Sequence, residues 1–129
     1  MGTWGSGIFE DDAALDQLAL VIKYCIAKIR TCFDEHKEPD TLIRRGHAEV
    51  LANVDIICTL CRQYGTFPNL EVSEVETWQK KYLEAYDTLL PVSEDTIERD
   101  KRHISIHRAI IVATFYQLLR LVDELWGED

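Results

Sequence analysis

Apolar residues recur along this chain at steps of three and four, the spacing of helices that bury one face. Leu15, Leu18, Ile22, Cys25, Ile29 and Cys32 or Phe33 form the first such stripe, with Asp11 or Asp12 placed to cap it. Leu20, Val21 and Tyr24 widen the stripe, which predicts a helix packed on two sides. After Glu38-Pro39 a second stripe runs through Leu42, Ile43, His47, Val50, Leu51, Val54, Ile57, Cys58 and Cys61, with Asp40 as the expected N-cap. Gly65 stops it and Pro68 follows. Ser73-Glu74-Val75-Glu76 reads as a capping box that opens a third helix on Val75, Trp78, Tyr82, Ala85 and Leu89, closed by Pro91. The last helix is expected to start near Ser93 or Thr96, to show Ile104, His107, Ile111, Phe115, Leu118, Val122 and Leu125 on one face, and to end at Gly127. Short connections make neighbouring helices antiparallel. The expected fold is therefore all-α: one domain over residues 1–129, an up-down-up-down bundle of about four helices.

Ahead of the first helix lies Met1-Gly2-Thr3-Trp4-Gly5-Ser6-Gly7-Ile8-Phe9. Its three glycines permit tight or left-handed backbone, while Trp4, Ile8 and Phe9 are too apolar for a free tail. An ordered cap packed on the bundle is the expectation. This start, followed by Asp11, Asp12, Ala14 and Asp16, resembles that of a bacterial family known as domain of unknown function 4259. The segment Ala48-Glu49-Val50-Leu51-Ala52 is similar to an alanine and glutamate stretch in that family's next helix, and the likeness is followed to about residue 64. The family has no established activity. By analogy, small acidic proteins of this kind are often immunity partners of bacterial toxins.

Charge narrows the classes of partner. The 129 residues carry a net charge of −9, which disfavours nucleic acid, whose phosphates call for Lys and Arg. The longest apolar runs fall well short of the roughly 20 residues a membrane span needs. The N-terminus lacks the basic start and apolar core of a signal peptide. Gly2 and Ser6 meet the loose N-myristoylation pattern, yet no basic patch follows and the first cation is Lys23, so one acyl chain would anchor weakly. These points predict a soluble, cytoplasmic protein without nucleic-acid or membrane partners.

Candidate chemistry is sparse. Cys25, Cys32, Cys58 and Cys61 alternate with core positions and read as buried thiols, and the lone Cys58-x-x-Cys61 pair has no second pair to complete a metal site. His103 and His107 sit four apart with Asp100 one turn earlier, but Arg99, Lys101 and Arg102 oppose a divalent ion there. Glu49, Asn53 and Asp55 enter an apolar helix and are expected as paired polar groups, with Arg44, Arg45 or the cap's amides. A base without a nucleophile, phosphate loop or metal set makes no active site. Neither enzyme activity nor a cofactor or metal is expected.

The strongest signal is where the acids lie. Residues 1–22, 63–79 and 121–129 hold eleven of the 23 acidic residues and no Lys or Arg. An up-down-up-down bundle brings these segments to one end. Asp11, Asp12, Glu74 and Glu76 suit helix N-termini, whereas Asp123 and Glu124 stand in a last helical turn, where the dipole disfavours acids. Asp11, Asp12, Glu71, Glu74, Asp123 and Glu124, with Tyr64, Phe67, Trp126, Glu128 and Asp129, make a candidate surface for a basic protein, aromatics for contact and carboxylates for steering. The functional expectation is an immunity or antitoxin-like protein that occludes a basic toxin such as a nuclease (RNase). A small uncharacterised enzyme and a regulatory helical binding module are the alternatives. The N-terminal cap is testable by itself: Trp4→Ala should lower stability by about 3–5 kcal/mol, the usual cost of truncating a buried aromatic. An unchanged melting temperature would show that Trp4 packs on nothing.

Overall fold

The computed structural model describes residues 11–126, apart from the side chain of Trp126, so the expected N-terminal cap lies outside the described residues. The elements are α1 (Asp12–Glu35), α2 (Pro39–Gly46), a π turn (His47–Leu51), α3 (Ala52–Tyr64), α4 (Val72–Leu89) and α5 (Glu98–Trp126). Helical backbone continues through Gly46, His47, Leu51 and Ala52, so α2, the π turn and α3 form one rod. The described residues thus form four helical rods and no strand, the all-α bundle that the periodicity predicts.

Local chemistry sets most helix ends. Asp11 Oδ1 accepts from the Ala14 amide at 2.8 Å and starts α1. Gly65 ends α3 in the left-handed region at φ 67°, where a Cβ would be strained. Three starts differ from expectation. α2 begins at Pro39 with Glu38 as N-cap, not Asp40, because a proline at the first helical position has no amide to lose. α4 begins at Val72 after Glu71, so Ser73 is inside the helix and the capping box does not form. Burial of Pro68 and Leu70 draws the chain into the helix two residues early. α5 starts at Glu98, because Ser93 and Thr96 bind each other in a turn instead, with the Ser93 amide donating to Thr96 Oγ1 at 3.0 Å.

Cross-helix contacts give the directions. Arg30 and Phe33 of α1 meet Glu74 and Trp78 of α4 in ascending order, so these two run parallel. Tyr82 of α4 meets Phe115 of α5, whereas Tyr86 and Asp87 meet Ile104 and Arg108 nearer its start, so these two run antiparallel. The second rod does not keep to one corner of the bundle. Its α2 half packs on α4, and its α3 half lies against α1 and α5. It crosses α4 at Gly46, where an added Cβ would overlap the ring of buried Tyr82.

The π turn follows that crossing. Leu42, Gly46, Val50 and Val54 are all buried and spaced four apart. In an ideal α-helix, three steps of four drift about 120° around the axis, which would carry Val54 off the core face. One extra residue in a π turn takes back about 100° of that drift. The Ala52 amide accordingly reaches the His47 carbonyl, and Asn53 Nδ2 donates to the Glu49 carbonyl at 2.9 Å in the widened turn.

The core joins all four rods through Ile29, Val54, Ile57, Val75, Tyr82, Phe115 and Leu118. Leu20, Val21 and Tyr24 are not in it: Leu20 is 58% and Tyr24 62% exposed. Among the described residues, the neighbours of α1 leave the face of Leu20 and Tyr24 uncovered. His107, expected on the core face of α5, is exposed as well. The crossing yields a test. Overpacking a core costs about 1–3 kcal/mol, whereas Ala gains about 1 kcal/mol over Gly in helix propensity. Gly46→Ala should therefore destabilise in urea unfolding despite better propensity. A rise in stability would show that the rod and α4 have room. Gly65→Ala meets no neighbour and should cost about 1–2 kcal/mol from its left-handed backbone alone.

Candidate protein-binding surface

The alternating directions bring the start of α1, the end of α3, the start of α4 and the end of α5 to one end of the bundle, as Arg62 confirms by donating to the Gln117 carbonyl at 3.4 Å. Asp11, Asp12, Asp16, Glu71, Glu76, Asp123 and Glu124 are exposed at or near this end. Tyr64 closes α3 at 39% exposure and Phe67 follows at 42%. Trp126 ends α5, but its side chain, with Glu128 and Asp129, lies outside the described residues.

Two features depart from the uniform acidic end that segment composition predicts. Glu74 is half-buried in a bidentate pair with Arg30, at 2.8 and 2.9 Å, and is not available to a partner. Cations from outside the three acid segments also reach this end. Phe67 shares an apolar groove of about 310 Å³ with Ile22 and Ile26, and Lys23 and Arg30 line it too. On the opposite flank, Arg62 and Arg120 share a groove of about 390 Å³ with Glu124, and Arg120 lies over the Tyr116 ring at 5.9 Å. Helical spacing carried a signal for Arg120, one turn before Glu124; Arg62 arrives from another rod and left none.

Along the second rod two ion pairs form at the surface. Arg45 Nη2 donates to Glu49 Oε2 at 2.8 Å, and Arg44 pairs with Asp40 at the same distance. Desolvation pushes the Glu49 carboxyl upward, but the bond and charge of Arg45, helped by a bond from the Cys32 thiol, outweigh it and hold the carboxyl below its ordinary value. That state suits an acceptor better than a general base. Asp55 is exposed and takes no part. Burial, then the charge and bond of Glu49, push the Cys32 thiol up to about 11. Burial likewise raises Cys58 to about 12 and Cys61 to about 11. All four cysteines are buried and free. The rings of His103 and His107 lie tilted to each other with centroids 4.9 Å apart on the exposed side of α5, and among the described residues no three His, Cys, Asp or Glu side chains converge as a metal set.

A family model described as "Domain of unknown function (DUF4259)" matches residues 2–128. The chain belongs to the DUF4259 family. The match runs through α4 and α5, well past residue 64, where the likeness read from the N-terminal motif stops. No curated protein and no solved structure matches this DUF4259 chain.

The raised thiols make a chemical prediction. Only thiolate attacks a disulfide reagent, and Cys32, Cys58 and Cys61 remain protonated near pH 8 in the folded state. A colorimetric thiol titration of the native DUF4259 protein at that pH should therefore be slow, and should report all four cysteines within seconds once denaturant is added. Fast native reaction of two or more thiols would mean that the α1–α3 seam opens readily.

Proposed function

We propose that this DUF4259 protein acts by binding, as an immunity or antitoxin-like partner that covers the active cleft of a basic toxin, most simply a nuclease. The observation that carries this reading is the gathering of exposed acids from α1, α4 and α5 at one end, beside the exposed aromatic Phe67. Asp11, Asp12 and Glu71 gain from helix N-termini and need no partner to explain them. Asp123 and Glu124 do not gain, since acids in a last turn cost about 0.3–1 kcal/mol each. Arg62 and Arg120 line the same groove as Glu124, and Asp123 is outside it. A surface that tolerates this cost fits one used against positive charge. A nuclease must itself attract polyanions, so a carboxylate-rich end can take the substrate's place in its cleft, with fast, salt-sensitive association.

The test pairs folding with binding: the proteins encoded on either side of this gene are screened for a basic toxin that binds this chain, and that toxin is the probe. Glu71→Lys with Asp123→Lys reverses two exposed acids on different helices. The double variant should unfold at nearly the wild-type temperature. Its association with the toxin should slow by at least about tenfold at low salt, with the difference shrinking as salt rises. Equal association rates across the salt series would overturn the acidic end as the binding surface.

A further inference from the structure

The groove between α1 and the connection from α3 to α4 has an apolar lining and is open at the surface. Ala19, Ile22 and Ile26 form its α1 side, and Phe67 stands across from them. Leu15, one turn before Ala19 and 39% exposed, carries the same line of side chains back to the start of α1. Lys23 also lines the groove, where a cation favours an aromatic ring, and Thr66 and Asn69 offer oxygen acceptors. At about 310 Å³ the groove takes one large side chain, not a folded element.

We propose that residues 1–10 of this same chain close the groove, with Trp4 seated against Ile22 and Phe67 and with the Ile8-Phe9 pair on Leu15. Residues 1–9 hold no charged side chain and include three large apolar ones, so they match the lining. They join α1 at Asp11, on the end of the bundle where the groove opens. Ala19 and Ile22 lie about 12 and 17 Å along α1 from that point, at 1.5 Å per residue. The seven steps from Trp4 to Asp11 extend to about 23–25 Å. Trp4 therefore reaches Ile22 even after the chain turns back, and Gly5 and Gly7 permit that turn. Tethering decides between this occupant and others. A segment on so short a link faces the groove at about millimolar effective concentration, which a separate partner or a second copy must exceed. Leu20 and Tyr24 are within the same reach, but they stand on a convex helix face, whereas the groove encloses a ring from two sides. None of the acids of the proposed toxin-binding end lines this groove, so toxin association tests that reading and the state of Trp4 tests this one.

Hydroxyl-radical footprinting of the full chain tests the seat directly. Wild-type Trp4 should be oxidised about as slowly as buried Trp78. In Trp4→Ala, Phe67 should be oxidised several-fold faster than in the wild type, with exposed Tyr116 on α5 as the unchanged reference. Melting supplies the coupling: Phe67→Ala should lower the melting temperature of the wild type by several degrees and add almost nothing in the Trp4→Ala background, since residues that share a contact are not additive. Sedimentation should give the mass of a single chain. Trp4 oxidised as fast as Tyr116, additive melting shifts, or the same protection in a species of twice the chain mass, which would place the segment on a second copy, would each overturn the proposal.

Discussion

The approach of Gly46 to the Tyr82 ring governs the packing of this bundle. Only a residue without a Cβ lets the second rod lie that close to α4. From that crossing the rod passes from α4 at its start to the space between α1 and α5 at its end, and so touches every other rod. The π turn follows from the same demand: a rod that must keep Leu42, Gly46, Val50 and Val54 inward over twelve residues has to lose about 100° of helical advance somewhere. It does so directly after the crossing, where Glu49 and Asn53 take up the altered backbone and connect it to Arg45 and Cys32.

Charge pairs decide register more than stability. Arg30 with Glu74 and Arg108 with Asp87 are both bidentate, and they join α4 to α1 on one side and to α5 on the other. Both stay in contact with water, so neither contributes much free energy. Their geometry still specifies which turn of one helix faces which turn of the next. The Arg30 pair has a second effect, since it withdraws one acid from the negative end and brings a guanidinium there. The surface left over is acidic but interrupted, with apolar and cationic grooves on its flanks, a texture better suited to one shaped partner than to indiscriminate attraction.

The sequence by itself determined the helices, the ends set by Asp11, Gly65 and Pro91, and most of the core. Periods of three and four report which face of a helix is buried, and Asp11, Gly65 and Pro91 act on backbone groups within a few residues, so both are local properties. The fold class and the clustering of acids at one end follow from that local information together with short connections. Tertiary structure decided what depends on distance between rods. Whether Leu20 and Tyr24 are buried turns on where neighbours sit, and whether Glu74 is available turns on Arg30, 44 residues away. The four-residue spacing from Leu42 to Val54 held a trace of the π turn, yet the close contact of Gly46 with Tyr82 is visible only in the folded structure. Local chemistry is written along the chain; close approach between distant segments is a property of the folded surface, and it set the shape of the candidate binding end.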